Sequence, residues 1–278
     1  MPLLRLPEPY DFELSTGRYR AFGPDLANLW HDGALYRVVD GREVRIAPSP
    51  GGLEVDPLDD EISLVVLRLL GAPFDLDPFY GFAALDRVLG PLAERLRGLR
   101  PPLAPTPFES LVTSITAQQV SLFAAFAIRN RLIRRFGAPA GGHAVAFPTR
   151  PTLAAAEEDE LVALGFSRRK AAYVIGIARS DLDLDSLAAL PDEEVKARLT
   201  ALPGIGEWTA DWFLARHLAR PRAWPAGDLG LRKAVSAFYG DGREFSTEEV
   251  RAIGDRFEPF QNLTAHYLLT AFLLGLWK

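Results

Sequence analysis

Two hydrophobic rhythms divide this chain. Up to about residue 75, apolar residues come in short runs separated by turn formers. Ala34-Leu35-Tyr36-Arg37-Val38-Val39 and Glu43-Val44-Arg45-Ile46 flank Asp40-Gly41, and Gly51-Gly52 precedes Leu53-Glu54-Val55. Asp-Gly readily takes the positive φ of a two-residue hairpin, so the pattern predicts an antiparallel sheet, joined by a helix near residues 61–70. From about residue 76 the apolar positions recur at spacings of three and four, which predicts helices. Breaks fall at Pro101-Pro102, Pro105, Pro107, Gly137–Gly142, Pro148, Pro151, Pro191 and Gly240–Gly242. The expectation is an α+β fold: an N-terminal antiparallel α+β domain over 1–76 and an all-α region over 77–278, with the proline-rich link at 99–107 separating subdomains inside the latter.

The most informative break is Leu202-Pro203-Gly204-Ile205-Gly206, after which helical periodicity resumes from Glu207 to Ala219. A proline and two glycines between helical segments imply a tight hairpin of helices. The second helix would offer unpaired amides and the positive end of its dipole, and glycines keep no side chain between those amides and an anion. Such a turn can be plain structure; it also suits a sequence-indifferent grip on a phosphate. Beyond it, Trp208 and Trp212 lie four residues apart on one helix face, and Asp228 directly precedes Leu229-Gly230-Leu231-Arg232, an N-cap position.

These residues together carry a family likeness. An LPGIG hairpin with an Asp 22 residues after Gly206, Trp208-Thr209-Ala210, and the run from Pro225 to Ala234 resemble the helix-hairpin-helix DNA glycosylases. Thr106-Pro107-Phe108-Glu109, Ala117-Gln118-Gln119-Val120-Ser121 and Phe257-Glu258-Pro259-Phe260 extend the likeness to the alkylated-base branch, the 3-methyladenine DNA glycosylase II (AlkA-type) enzymes. It covers about residues 100–278 and reaches the N-terminus more faintly through Pro9-Tyr10-Asp11.

The resemblance implies base excision repair of double-stranded DNA. Asp228 is then the catalytic carboxylate, Trp208, Trp212 and Phe260 line the base pocket, Gln119 is the wedge that fills the gap left by a flipped base, and Gly204, Gly206 and Thr209 contact DNA. Base loss passes through an oxocarbenium-like sugar that a fixed carboxylate stabilises, and an alkylated purine such as 3-methyladenine or 7-methylguanine is already a cationic leaving group that aromatic rings attract. No cofactor is required, although a monovalent cation at the Leu202 and Ile205 carbonyls is implied when DNA is bound. A strand-nicking lyase needs a Schiff-base amine two residues after the second hairpin glycine; that position is Trp208, so a monofunctional, monomeric enzyme is expected. An additional pocket aromatic from the N-terminal segment is left between Phe12 and Tyr19. The rival from another class is a helix-hairpin-helix protein that binds DNA without chemistry.

Charge alters this picture only mildly. The net charge of −5 runs against the basic excess usual for a phosphate binder. Basic residues nevertheless gather at Arg129, Arg131, Arg134 and Arg135 and at Arg168-Arg169-Lys170, each a candidate phosphate contact or a solvated helix face. With no cysteine in the sequence, disulfides, thiolate catalysis, cysteine-ligated zinc and an iron–sulfur cluster are excluded. His31, His143, His217 and His266 show no metal-ligand spacing and read as structural. Asp181-Leu182-Asp183-Leu184-Asp185 has Ser186 where a calcium loop needs glycine, and so reads as a polar turn. Met1-Pro2-Leu3-Leu4-Arg5 leads into proline and charge, and no apolar run reaches spanning length, so a cytoplasmic protein is expected.

Overall fold

The structure, a computed structural model, describes residues 2–277. The N-terminal part is a five-stranded sheet of β1 (Leu3–Leu4), β2 (Leu29–His31), β3 (Ala34–Val39), β4 (Arg42–Ser49) and β5 (Gly52–Asp56), in the order β1-β5-β4-β3-β2 and antiparallel throughout. The Asp40-Gly41 hairpin forms as its sequence predicts: Val39 pairs with Arg42 across the turn, and both turn residues have positive φ, 47° and 70°. The helix Asp60–Leu69 starts where Asp59 accepts the Ile62 amide at 2.9 Å. Its apolar stripe of Ile62, Val66 and Leu69 closes the sheet face formed by Leu35, Ile46 and Val55. Strands β1 and β2 escape sequence reading because two or three residues are too few to show alternation.

The helical region has two cores. One gathers Leu111, Ile115, Leu132, Val174 and Phe213 from helices lying between Pro107 and Arg216. The other joins the early helices Leu76–Ala83 and Leu89–Arg95 to the late helices Leu229–Tyr239 and Gln261–Leu273, around Phe79, Leu92, Leu231 and Leu268. The proline-rich stretch at 99–107 is where the chain leaves the second core for the first, and it returns just before Asp228. A buried polar network fastens the sheet to the first core. Arg37 on β3 pairs with Glu109 at 2.6 Å and donates to Asn28 at 2.6 Å, while Arg129 pairs with Glu109 at 2.7 Å and with Asp25. Each buried charge here has a partner of opposite sign, which repays its desolvation. Arg129 is therefore withdrawn from the candidate phosphate contacts: it is 4% exposed and fully engaged inside the protein.

Candidate active site

The hairpin runs from the helix Asp192–Thr200 through the turn to the helix Glu207–Arg216. Its two glycines serve different ends. Gly204 has φ +84° and its missing Cβ would fall 2.2 Å from the Tyr173 ring, so neither the conformation nor the space admits a side chain. Gly206 has an ordinary φ of −99° and caps the second helix without a side-chain bond; a Cβ there would meet nothing, so the first-turn amides stay approachable from outside. The adjoining loop is clamped to this turn by Gln118, whose Nε2 donates to the Gly204 carbonyl at 3.0 Å and to Thr209 Oγ1 at 3.1 Å. Thr209 is 1% exposed, which corrects its expected role: its hydroxyl serves Gln118 and does not reach DNA.

Lys170 Nζ secures the same loop by donating to the carbonyls of Thr116, at 3.1 Å, and Gln118, and burial lowers its pKa. Gln119 stands exposed at the loop tip with φ +54°. Together Gln118, Gln119, Arg169, Lys170, Gly204 and Gly206 line a surface cleft of about 340 Å³. The other basic candidates are mostly engaged: Arg131 donates to the Leu164 carbonyl at 2.5 Å, Arg135 pairs with Glu160 at 2.6 Å, Arg168 with Asp159 at 2.9 Å, and Arg169 donates to the Tyr173 hydroxyl at 3.0 Å.

Asp228 sits at the seam of the two helical cores, as the N-cap of Leu229–Tyr239. Oδ1 accepts the Leu231 amide at 2.8 Å, and Oδ2 accepts both tryptophan N–H groups, Trp208 Nε1 at 2.9 Å and Trp212 Nε1 at 3.1 Å. The i, i+4 spacing of the tryptophans thus aims two indole donors at one oxygen. Their sequence-predicted neighbourhood with Asp228 is real, but the contact is a hydrogen-bonded carboxylate clamp as well as an aromatic wall. A half-buried carboxylate held by three donors is a fixed negative charge, the arrangement that opposes positive charge developing on a nearby sugar.

The aromatic face expected to hold a cationic base is partly taken. The Arg216 guanidinium lies over the Trp212 ring, 3.6 Å from its centroid. Phe260 is half-buried against Phe79 and Phe82, with centroids 6.0 and 5.2 Å away, and no ring contact among the described residues joins it to either tryptophan. Phe12 and Tyr19, the two N-terminal aromatics in contention, are both buried in the core of the sheet domain. From the N-terminal part, Arg18 interacts electrostatically with Asp228, Asp25 and Arg216. His266, from the last helix, completes the surroundings with its ring 5.7 Å from that of Trp212. Burial together with the two guanidiniums pushes its pKa well down, so its imidazole is neutral. Sequence reading passed over Arg18 and Arg216 and took His266 as structural; single residues on three distant segments give no spacing signal.

A helix hairpin is thus followed by an aromatic-clamped carboxylate at the seam of two helical cores. Residues 112–259, over half the chain, match the HhH-GPD superfamily of base excision DNA repair proteins, and the chain belongs to that superfamily. The relatives it resembles are those of the alkylated-base branch. It is 29% identical over 201 residues to a DNA-3-methyladenine glycosylase of Bacillus subtilis (strain 168), covering 70% of this chain and 66% of that protein. It is 33% identical over 151 residues to DNA-3-methyladenine glycosylase 2 of Escherichia coli (strain K12), covering 53% and 51%. The chain thus spans between half and two thirds of the length of these curated relatives. Among solved structures, a 3-methyladenine DNA-glycosylase from Archaeoglobus fulgidus superposes with a TM-score of 0.89 at 28% identity over 99% of both chains. Among the described residues no helix is long and apolar enough to cross a membrane.

Proposed function

We propose that this protein is a DNA glycosylase of base excision repair that flips alkylated bases such as 3-methyladenine and 7-methylguanine out of double-stranded DNA and removes them by hydrolysis. The observation that carries the reading is the Asp228 carboxylate, held by the Leu231, Trp208 and Trp212 N–H groups at the seam of the helical cores. The hairpin amides and the Gln118–Gln119 loop flank one cleft, so the backbone grip and the wedge would engage the same duplex. Asp228 would stabilise the oxocarbenium-like sugar and orient the attacking water.

The reaction would be monofunctional. Trp208 occupies the position of a Schiff-base amine and its N–H is committed to Asp228, while Lys233 is exposed on the outer part of the following helix. No cofactor would be needed. A monovalent cation would take the backbone oxygens of Leu202 and Ile205; the former already accepts the Ile205 amide at 3.2 Å and keeps one lone pair free. The protein would act as a monomer. The test is single-turnover release of free base from methylated duplex, with strand cleavage scored before and after alkali. Release that leaves an alkali-labile site is expected; binding of methylated duplex with no release would make this a DNA-binding protein without chemistry, and an adduct trapped by borohydride would overturn the monofunctional reading.

A further inference from the structure

We propose that Arg216, backed by Arg18, reads the flipped base: it offers guanidinium N–H groups to an exocyclic carbonyl oxygen, so that bases carrying an oxygen at that edge are preferred to bases carrying an amine. The inference rests on the glycosylase reading and specifies the class of base. Three observations carry it.

The first is position. Arg216 lies 3.6 Å over the Trp212 ring, and the indole N–H of that same ring holds Asp228, so the guanidinium is one aromatic ring away from the reacting carboxylate. The second is an unmet demand for acceptors. The buried arginines Arg37 and Arg129 are paired with Glu109 and Asp25, Arg37 leaving only its Nε without an acceptor, whereas among the described residues no ion pair involves Arg216 or Arg18, and Arg216 Nε too is buried without an acceptor. A buried donor left without a partner is costly, and its persistence beside a reactive group points to an acceptor that arrives with the substrate. The third is His266, whose Nε2 is likewise buried without a partner beside Trp212.

The charge balance favours an oxygen over a cation. Arg18 and Arg216 both interact with the Asp228 carboxylate, and the Asp25 carboxylate near Arg18 is already paired with Arg129, so the surroundings of the base carry a positive excess, and the ring face of Trp212 that would attract a cation is already covered by the protein's own. The O6 and N7 edge of an oxopurine presents adjacent acceptors to which a guanidinium bonds in bidentate fashion. The chemistry gains as well. When the C1′–N9 bond breaks, its electron pair passes to the base and spreads onto O6; water bonds to C1′ and gives up a proton, and the departing base takes up a proton. A guanidinium at O6 stabilises the charge that a neutral base acquires in this step.

The experiment compares wild type with Arg216→Met, and separately with Arg18→Leu, on duplexes arranged in charge-matched pairs: hypoxanthine against adenine, both neutral, and 3-methylguanine against 3-methyladenine, both cationic and both with N7 free. In each pair the carbonyl-bearing base should lose about tenfold or more in single-turnover rate relative to its amine counterpart. Equal slowing on all four would show that the guanidinium binds a DNA phosphate or only supports the fold, and overturns the proposal. Wild-type release of 3-methyladenine with no release of either carbonyl base sinks this inference and leaves the glycosylase reading standing, whereas no release of any base sinks both. Quenching of tryptophan fluorescence by free hypoxanthine and free adenine needs no variant; tighter binding of hypoxanthine supports the assignment, and equal or weaker binding refutes it.

Discussion

Replacing Asp228 by Asn should cost both catalysis and stability, and the geometry says why the usual assumption of a silent isostere fails here. Three donors converge on the carboxylate, one on Oδ1 and two on Oδ2. An amide has only one oxygen. If that oxygen takes the two indoles, its NH2 faces the Leu231 amide and the helix loses its cap, a cost of about 0.5–2 kcal/mol. If it keeps the cap, two indole N–H groups are stranded, at about 1–3 kcal/mol for each donor left unsatisfied. The first arrangement costs less, and with donor facing donor the net loss should be about 1–3 kcal/mol. For a chain of this size that lowers Tm by roughly 2–4 °C per kcal/mol.

Catalysis should fall further, because the amide cannot oppose the sugar cation; removal of one preorganised electrostatic group costs on the order of 10²–10³ in rate. Trp208→Phe separates the two effects, since it deletes one donor while keeping the charge. In a thermal-melt cycle, Asp228→Asn should be less destabilising in the Trp208→Phe background, where one of the frustrated donors is gone. Single-turnover excision of 7-methylguanine at a temperature where both proteins are folded completes the assay. If Asp228→Asn melts within about 1 °C of wild type and excises within about tenfold of it, both the three-donor clamp and the catalytic assignment are wrong.

The hairpin glycines should separate in the laboratory as they do in space. Gly204→Ala should destabilise the fold, since its Cβ meets the Tyr173 ring, whereas Gly206→Ala should melt close to wild type but bind damaged and undamaged duplex alike more weakly; the reverse pattern in calorimetry and titration would contradict the geometry. Gln119→Ala should slow excision from duplex more than from single strands, and equal slowing would reject a wedge at this exposed loop tip. His217 is buried, and burial lowers its pKa to about 4 from an ordinary 6.5. The unfolded chain therefore binds the extra proton first, so stability held above pH 6.5 should decline by about 3 kcal/mol on going down to pH 4; His217→Gln should flatten that slope in denaturant titrations, and an unchanged slope would place the loss elsewhere.

What the sequence disclosed was whatever local physics makes periodic or punctuated. Asp40-Gly41 announced its hairpin because few dipeptides accept two positive φ values, and the Pro-Gly-Ile-Gly break announced a turn between helices for a similar reason. Asp228 was legible as a helix cap. The clamp itself was half legible: the spacing of Trp208 and Trp212 put both rings on one face but could not show that both indoles point at Asp228. Thr209 was misjudged because a hydroxyl next to an exposed turn looks accessible in one dimension, and only the loop carrying Gln118, some ninety residues earlier, covers it. Arg129 was misjudged for the same reason, its partners Asp25 and Glu109 lying on other segments.

The assembly of the site was illegible for a reason that lies in how the fold is divided. Arg18 comes from the sheet domain, Trp208, Trp212 and Arg216 from the first helical core, and Asp228 and His266 from the second. No window of sequence contains them, and no single core positions them. The angle between sheet and first core is fixed by the Arg37–Glu109–Arg129–Asp25 network, whose charges are buried and mutually satisfied. Removing one member strands the others, at several kcal/mol for a broken buried pair. A change at Glu109 would therefore loosen the seat of Arg18 while leaving the Asp228 clamp, which is built from the helical cores alone, in place. On the proposed function, the carboxylate clamp and the base-reading arginines would then be held by different parts of the fold. A conservative Glu109→Gln variant that stays folded should shift the ratio of carbonyl-bearing to amine-bearing bases released more than it shifts the total rate, and a uniform loss on every base would show that the sheet domain supports the clamp as well.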